Sequence, residues 1–397
     1  MCSSDLTKQT PLHQINAELG ANFTDFGGWD MPLKYGSELA EHRAVREFAG
    51  IFDLSHMGEV RVTGADAAAF MDYALLSRYS IMKNGKAKYG VIIDEAGGIL
   101  DDVITYRLGD DEFLIVPNAG NTPAVVAALE DRAEKAKAAG AAADFEVRNE
   151  SDDTALIAVQ GPKSEEILLA AVCGSTECDD REDCTKIKEL AYYAWTFITV
   201  DGVEVFLART GYTGEDGFEL YVKNADAEAL WNRLMSINEA EFDGAALPCG
   251  LASRDSLRLE AGMPLYGNEL TRETTPFDAG FGGMVRGALK NKGDFYGRET
   301  MQKLNDADQA GGTPRKLVGL SSEGRRAARA GAGVFVDGAE VGVITSGQPS
   351  PTLGHPIALA YLDTAHAEPG TAVTVDIRGK SYDFSVVETP FYNSGAH

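Results

Sequence analysis

The segment Arg209-Thr-Gly-Tyr-Thr-Gly-Glu-Asp-Gly-Phe-Glu-Leu220 sets three glycines between two runs that read as β-strands. Glycine tolerates positive φ and, lacking Cβ, lets backbone approach a flat ligand. Tyr212 offers a ring for stacking, and Glu219 a two-oxygen acceptor for a donor edge. The same composition also suits an ordinary surface hairpin. A second segment, Gly97-Gly-Ile-Leu-Asp-Asp102, carries adjacent carboxylates on a strand, so Asp101 and Asp102 must point to opposite faces and only one can face a given cavity. They are either two solvated acids at a strand start or include one carboxyl held in apolar surroundings, with a raised pKa and a proton to relay. A third, Gly250-Leu-Ala-Ser-Arg-Asp-Ser-Leu-Arg-Leu-Glu-Ala-Gly262, places Arg254 and Arg258 four apart on one helical face. These arginines are surface partners of Asp255 or Glu260, or planar donors to a carbonyl on a fused heterocycle. Glu219 and Arg254 meeting around one ring would match the donor and acceptor edge of an aminopyrimidinone, the edge that pterins carry.

Composition narrows the partners. With 61 acidic and 36 basic residues in 397, the formal net charge of -25 repels phosphate backbones and anionic membranes. Nucleic acid is therefore not an expected partner, and no apolar run approaches membrane-spanning length. Five cysteines, an odd number in a long chain, fit a reducing compartment better than a disulfide framework. Cys173, Cys178 and Cys184 lie close together, but their spacing is not that of a zinc ribbon and no histidine is near, so a solvated loop without metal is expected. The N-terminus has neither an apolar core of a signal peptide nor an arginine-rich amphipathic pattern, which points to the cytoplasm. There is no Gly-x-Gly-x-x-Gly after a strand, no phosphate loop and no His-Glu-x-x-His. Ser55 has no visible triad partners, and His56 reads as a satisfied turn histidine.

The elements that must position these residues alternate in type. A helix over 38–49, stopped by Gly50, is expected to turn His42 and Arg43 to solvent. A strand at 58–63 precedes an alanine-rich helix with Thr63 and Asp66 spaced as a capping box. Next come a hairpin through Glu95-Ala-Gly-Gly98, a strand closed by Asn118, and a helix with Pro123 at its start and Gly140 past its end. Strands at 145–148, 154–160, 193–200 and 203–209 lead to the glycine-rich loop, with a helix after Pro162 and others over about 226–240 and 250–261. Beyond Gly262 short alternating runs with turns at Asp337-Gly338 and Gly379-Lys380 suggest a small β-barrel or jelly roll from about 313, after a linker at 306–314. Function classes built on nucleotide phosphate, metal or a serine nucleophile find no support in this pattern.

The three segments, in this order, together with Thr10-Pro-Leu-His13, Phe26-Gly-Gly-Trp-Asp-Met-Pro32 and Asp53-Leu-Ser-His-Met57, resemble the folate-dependent aminomethyltransferases, the T proteins of the glycine cleavage system. The resemblance runs from about Thr10 to Phe391. It implies an α+β cloverleaf of three domains around a central folate cavity: 1–51 with 145–275 as a discontinuous first domain, 52–144 inserted in it, and 276–397 as linker and C-terminal barrel. It implies Asp102 as the catalytic aspartate, and Met57, Tyr89, Val116, Asn118, Tyr212, Glu219 and Arg254 as folate contacts.

The implied reaction moves the one-carbon unit of an aminomethyl group, held on the lipoyl arm of the H protein, to the co-substrate tetrahydrofolate, with release of ammonia. Positioning plus one carboxylate suffices for it, and no metal is called for. Two rivals share the resemblance: a folate-dependent demethylase, which would need a closed pocket, and a non-catalytic folate-binding protein of iron-sulfur assembly. The latter carries a cysteine where this chain has Lys292-Gly-Asp-Phe-Tyr-Gly-Arg-Glu299. One departure stands out. Gly283 occupies a position where the family often has tryptophan, which either widens the cavity or is made up by Phe281 or Met284. Tyr392 is a further candidate to reach the site from the barrel.

Overall fold

Residues 154–160 and 217–223 are apolar almost without interruption, as strands covered on both faces must be. In the computed structural model, which describes residues 7–175 and 181–396, they lie at the centre of a six-stranded sheet. Its order is Trp195–Val200, Val203–Ala208, Gly217–Lys223, Thr154–Gln160, Gly50–Asp53 and Leu247–Cys249. Only the last pair is parallel. Ala155, Ile157 and Val159 pack with Trp231 and Leu234 of helix Asn224–Phe242 and with helix Ser164–Cys173. Leu156 and Ala158, on the opposite face, join Phe52, Tyr106 and Tyr221. That second face looks toward the rest of the molecule, so the sheet is at once a core and a wall of the site.

A five-stranded antiparallel sheet runs Ala87–Ile93, Ile99–Gly109, Glu112–Val116, Val60–Thr63, Glu146–Asn149. Helices Ala67–Ala74 and Thr122–Ala139 cover it, and Gly140 at φ 68° ends the second as the sequence predicts. The third unit is a closed six-stranded barrel, Arg315–Ser321, Pro356–Asp363, Ala339–Pro349, Gly333–Val336, Ala372–Asp376 and Ser381–Val387. Closure leaves no strand edge to protect.

Several local expectations fail for identifiable reasons. Helix Glu38–Glu47 stops short of Gly50, which instead opens a strand; a Cβ there would meet the side chains of Val45 and Cys249 at 2.5 and 2.7 Å. His42 is buried, not solvated, with Nδ1 2.6 Å from Ser256 Oγ and Nε2 2.9 Å from Thr352 Oγ1. The Thr63/Asp66 capping box is absent: the Asp66 carboxylate accepts from the Ala143 and Asp144 amides, tying the helix start to the incoming chain. The expected linker is partly helical, since Arg298–Gln309 and the unforeseen Gly282–Asn291 pack through Val285, Ala288 and Met301 against Val91 and Ile99. Cys173 and Cys184 are not in a solvated loop; they lie on helices Ser164–Cys173 and Glu182–Glu189, their sulfurs 3.0 Å apart and Cys184 buried. Cys178 lies outside the described residues. No group of His, Cys, Asp and Glu arranged to hold a metal ion occurs among the described residues, and none of their helices is long and apolar enough to cross a membrane.

Glu260, at the end of helix Leu251–Glu260, ties the units together. Its Oε2 accepts from Arg46 Nη2 at 2.8 Å, from Arg46 Nε at 3.1 Å and from Thr352 Oγ1 at 2.7 Å, and lies 3.2 Å from His42 Nε2. Its Oε1 accepts from Ser350 Oγ and from the Thr352 amide. Burial pushes this carboxyl up, but the bonds from His42, Ser350 and Thr352 outweigh it and bring it down to about 2, from an ordinary 4.5. A depressed carboxyl contributes stability above its unfolded value and loses it as pH falls through its folded value. Glu260→Gln is therefore expected to cost roughly 3 kcal/mol or more near neutrality, because Arg46 and its neighbours lose a buried charge partner. Urea unfolding should show that deficit shrinking as pH is lowered from about 6 toward about 3.

Candidate active site

A cavity of about 990 Å³ opens where the two sheets and the barrel meet. Met57, Tyr89, Asp102, Val116, Asn118, Tyr212, Glu219 and Arg254 all line it. Sheet register explains part of this. Tyr89, Ile104 and Val116 are direct cross-strand neighbours, so they share a face, and Asp102 lies two residues from Ile104 on that same face. Asp101 points the other way and is fully buried, outside the cavity lining.

Both carboxylates are nevertheless held by one side chain. Asn118, just past the end of strand Glu112–Val116, donates Nδ2 to Asp102 Oδ1 at 2.9 Å and to Asp101 Oδ1 at 2.8 Å. Its backbone amide gives Asp101 Oδ2 a further bond of 3.0 Å, and Asn121 Nδ2 reaches Asp101 Oδ1 at 3.0 Å. Tyr89 OH donates to Asp102 Oδ2 at 3.1 Å. Asp101 is thus a structural acceptor that sets Asn118, and Asn118 with Tyr89 aims Asp102.

Across the cavity, Glu219 Oε2 accepts from Thr210 Oγ1 at 2.6 Å and from Tyr106 OH at 3.3 Å. Its Oε1 takes no bond among the described residues. The Arg254 guanidinium lies 4.8 Å from the Tyr212 ring centroid, and Tyr212 OH is anchored to the Pro264 carbonyl. The alternative partners fall to other residues: Arg258 pairs with Asp255 and with buried Glu269, whereas Glu260 serves Arg46. Arg254 makes no ion pair among the described residues, although Glu219 is near enough for its charge to act on it. The cavity thus offers a half-used acceptor, a cation held over an aromatic face and apolar walls from Met57 and Val116. That set fits a flat heterocycle with adjacent donor and acceptor atoms, and so fits a folate.

The chain matches two family models in sequence order. Residues 12–288 match the GCVT N-terminal domain, and residues 315–393 the glycine cleavage T-protein C-terminal barrel domain. The chain belongs to this family. It is 53% identical to an aminomethyltransferase of Corynebacterium jeikeium, with 97% of this chain and 98% of the relative covered. Likewise it is 53% identical to an aminomethyltransferase of Corynebacterium aurimucosum, over 96% and 97% of the two chains. A solved structure, glycine cleavage system aminomethyltransferase T from Bartonella henselae, superposes with a TM-score of 0.84 at 36% identity, covering 97% and 98%. The protein is accordingly a folate-dependent transferase, an aminomethyltransferase of the glycine cleavage type.

The glycine at 283 does not line the cavity. It is exposed on helix Gly282–Asn291, and a Cβ there would meet nothing within 4 Å. Phe281 lines the cavity instead and packs edge-on to Tyr89 with centroids 5.8 Å apart. Tyr392 does not reach the site; its ring lies over Arg46, 4.2 Å from the guanidinium carbon. Sequence reasoning missed lining residues whose partners are remote. Tyr193, at φ 55° in the turn before strand Trp195–Val200, and Tyr221 belong to the first sheet's side of the cavity, and Arg329, Gln348 and Pro351 to the barrel's. No local pattern marks them. Asp53-Leu-Ser-His-Met57 did hold a signal: His56 is buried and faces the cavity, rather than being a satisfied turn residue.

Burial raises both aspartates above the ordinary carboxylate range, and the charge of Asp102 raises Asp101 further. Bonds from Tyr89 and Asn118 oppose the rise at Asp102. Asn118→Leu removes one of these, so Asp102 should ionise at still higher pH. A ¹³C-carboxyl titration of Asp102 by NMR is expected to move upward in that variant.

Proposed function

We propose that Asp102, Glu219 and Arg254 bind tetrahydrofolate and prepare it to take the one-carbon unit from an aminomethyl-lipoyl carrier, the H protein. Glu219 Oε1 and the Arg254 guanidinium grip the donor and acceptor edge of the pterin, and the Tyr212 ring beneath Arg254 holds that guanidinium in place. Bound tetrahydrofolate supplies the amine nucleophile and the carrier the electrophilic carbon; ammonia and the reduced lipoyl arm leave. Met57, Val116 and Phe281 keep water from the reacting centre. Asp102 orders the folate amine and handles its proton, while Asn118 and Tyr89 hold the carboxyl in one orientation. A carboxyl raised toward neutrality by burial exchanges a proton more readily than one at its ordinary value. The observation that carries this reading is the placement of Asp102 in the same cavity as Glu219 Oε1 and Arg254.

The rim favours a carrier arm over a small methylated substrate. Phe26, Leu33 and Leu39 line the cavity yet are 38%, 36% and 49% exposed, an apolar lip of the kind a docking partner covers. A demethylase would be served by a closed pocket. Ammonia release from lipoylated aminomethyl carrier and tetrahydrofolate tests the reading directly; activity only on a free methylated amine would support the demethylase. The proposed setting is the cytoplasm.

Two variant experiments follow. Arg254→Ala should weaken tetrahydrofolate binding by roughly 2-5 kcal/mol, since Glu219 is left without its cationic neighbour. Calorimetry on the folded variant with unchanged affinity would remove Arg254 from the pterin edge. Asp102→Asn should lower turnover by roughly 10²- to 10⁴-fold with little change in thermal midpoint. Asp101→Asn should cost mainly stability, because an amide at 101 confronts the Asn118 and Asn121 donors, with only a small turnover loss passed on through Asn118. Equal turnover losses in both, or loss in Asp101→Asn alone, would displace Asp102 from its role.

A further inference from the structure

His56 is 3% exposed, lines the cavity, and is flanked by Met57 in sequence and by the edge of the Phe26 ring, 5.7 Å away between centroids. Its Nδ1 is sealed from solvent and has no hydrogen-bond partner. The backbone carbonyl of Leu54 favours a proton on the ring, but burial and the neighbouring Arg254 charge outweigh it and lower the imidazole to about 3. The ring is therefore neutral at any working pH, and in the tautomer that carries its proton on Nδ1 the lone pair lies on Nε2. With Nδ1 walled off, Nε2 is the polar atom that meets the cavity. No bond to Nε2 occurs among the described residues. A buried imidazole whose cavity-side nitrogen is left unengaged costs free energy unless something arrives to use it.

We propose that His56 is a positioning contact for the co-substrate, its Nε2 accepting a hydrogen bond from a ring N–H of bound tetrahydrofolate on the Arg254 side of the cavity. The inference rests on the reading of the cavity as a folate site. Its chemistry is complementary to that of its neighbours. Arg254 can only donate, so a ring with mixed donors and acceptors needs acceptors as well, and Glu219 Oε1 is one. A neutral acceptor next to a cation serves where a second carboxylate would instead pair with Arg254 and close the site. Keeping His56 uncharged also avoids repulsion between imidazolium and guanidinium.

Two measurements test this on the intact chain. The first compares tetrahydrofolate affinity and KM of the native protein with His56→Phe, which keeps a planar ring, and His56→Gln, which keeps a polar acceptor. Loss of one neutral hydrogen bond predicts roughly 5- to 30-fold weaker binding in His56→Phe. The loss should appear mainly in KM for folate, with at least partial rescue in His56→Gln. The second uses native protein with ¹⁵N-labelled histidine. The Nε2 resonance of His56 should report an unprotonated nitrogen in the free protein at neutral pH and move when tetrahydrofolate is added. Native protein that binds folate without moving that resonance, or a folded His56→Phe with unchanged affinity, would overturn the contact and leave the folate site standing. Native protein that binds no tetrahydrofolate would overturn the reading of the cavity itself.

Discussion

A carboxylate in an apolar interior must be paired, and Glu260 is paired by residues from separate parts of the chain. Arg46 and His42 come from an N-terminal helix, Ser350 and Thr352 from a barrel loop, and Glu260 itself ends the helix that carries Arg254. Removing any partner leaves charge or a polar atom stranded, so each of the three segments stabilises the placement of the others. The position of Arg254 relative to the first sheet, and of Gln348 and Arg329 relative to Asp255, follows from that junction. The cavity is the space this constraint leaves open.

Within the cavity the same logic recurs on a smaller scale. Asp101 costs free energy to bury, and the Asn118 and Asn121 amides offset that cost. Asn118 is thereby fixed, and its second hydrogen bond orients Asp102. Of two adjacent acids, one is spent on structure so that the other can be presented with a defined geometry and a raised pKa. At the opposite wall, one Glu219 oxygen accepts from Thr210 and Tyr106, and the other takes no bond among the described residues. Hydrogen bonds within the fold thus orient Asp102 and Glu219, and transfer between two positioned reactants requires oriented groups.

The family resemblance and the chemistry of the segments made eight cavity-lining positions legible, because each sits in a short motif or on a strand. Tyr89 and Val116 illustrate register: period two places them on one face once Asp102 is chosen. His42 shows the limit. Its helix reads as amphipathic with a polar side at 42 and 43, yet the polar side at His42 is covered by Ser256 and Thr352, more than two hundred residues away in sequence. Helices Gly282–Asn291 and Arg298–Gln309 were hidden for a related reason. Gly282, Gly283 and Gly287 argue against helix in the first, where packing on Val91 and Ile99 overrides that preference; the second carries no glycine and was obscured by the glycine-rich stretch around it.

Sequence alone determined the chemical identities: a glycine-rich loop with Tyr212 and Glu219, adjacent aspartates forced to opposite faces, Arg254 on a helix, and a barrel of alternating strands. These are local properties, set by side-chain type and by the periods of helix and strand. Which aspartate lines the cavity, which arginine is left without an ion pair among the described residues, and whether His42 or His56 is solvated or buried were decided only by tertiary structure. Hydrogen-bond satisfaction and burial depend on what lies across the fold, and no window of sequence contains both partners.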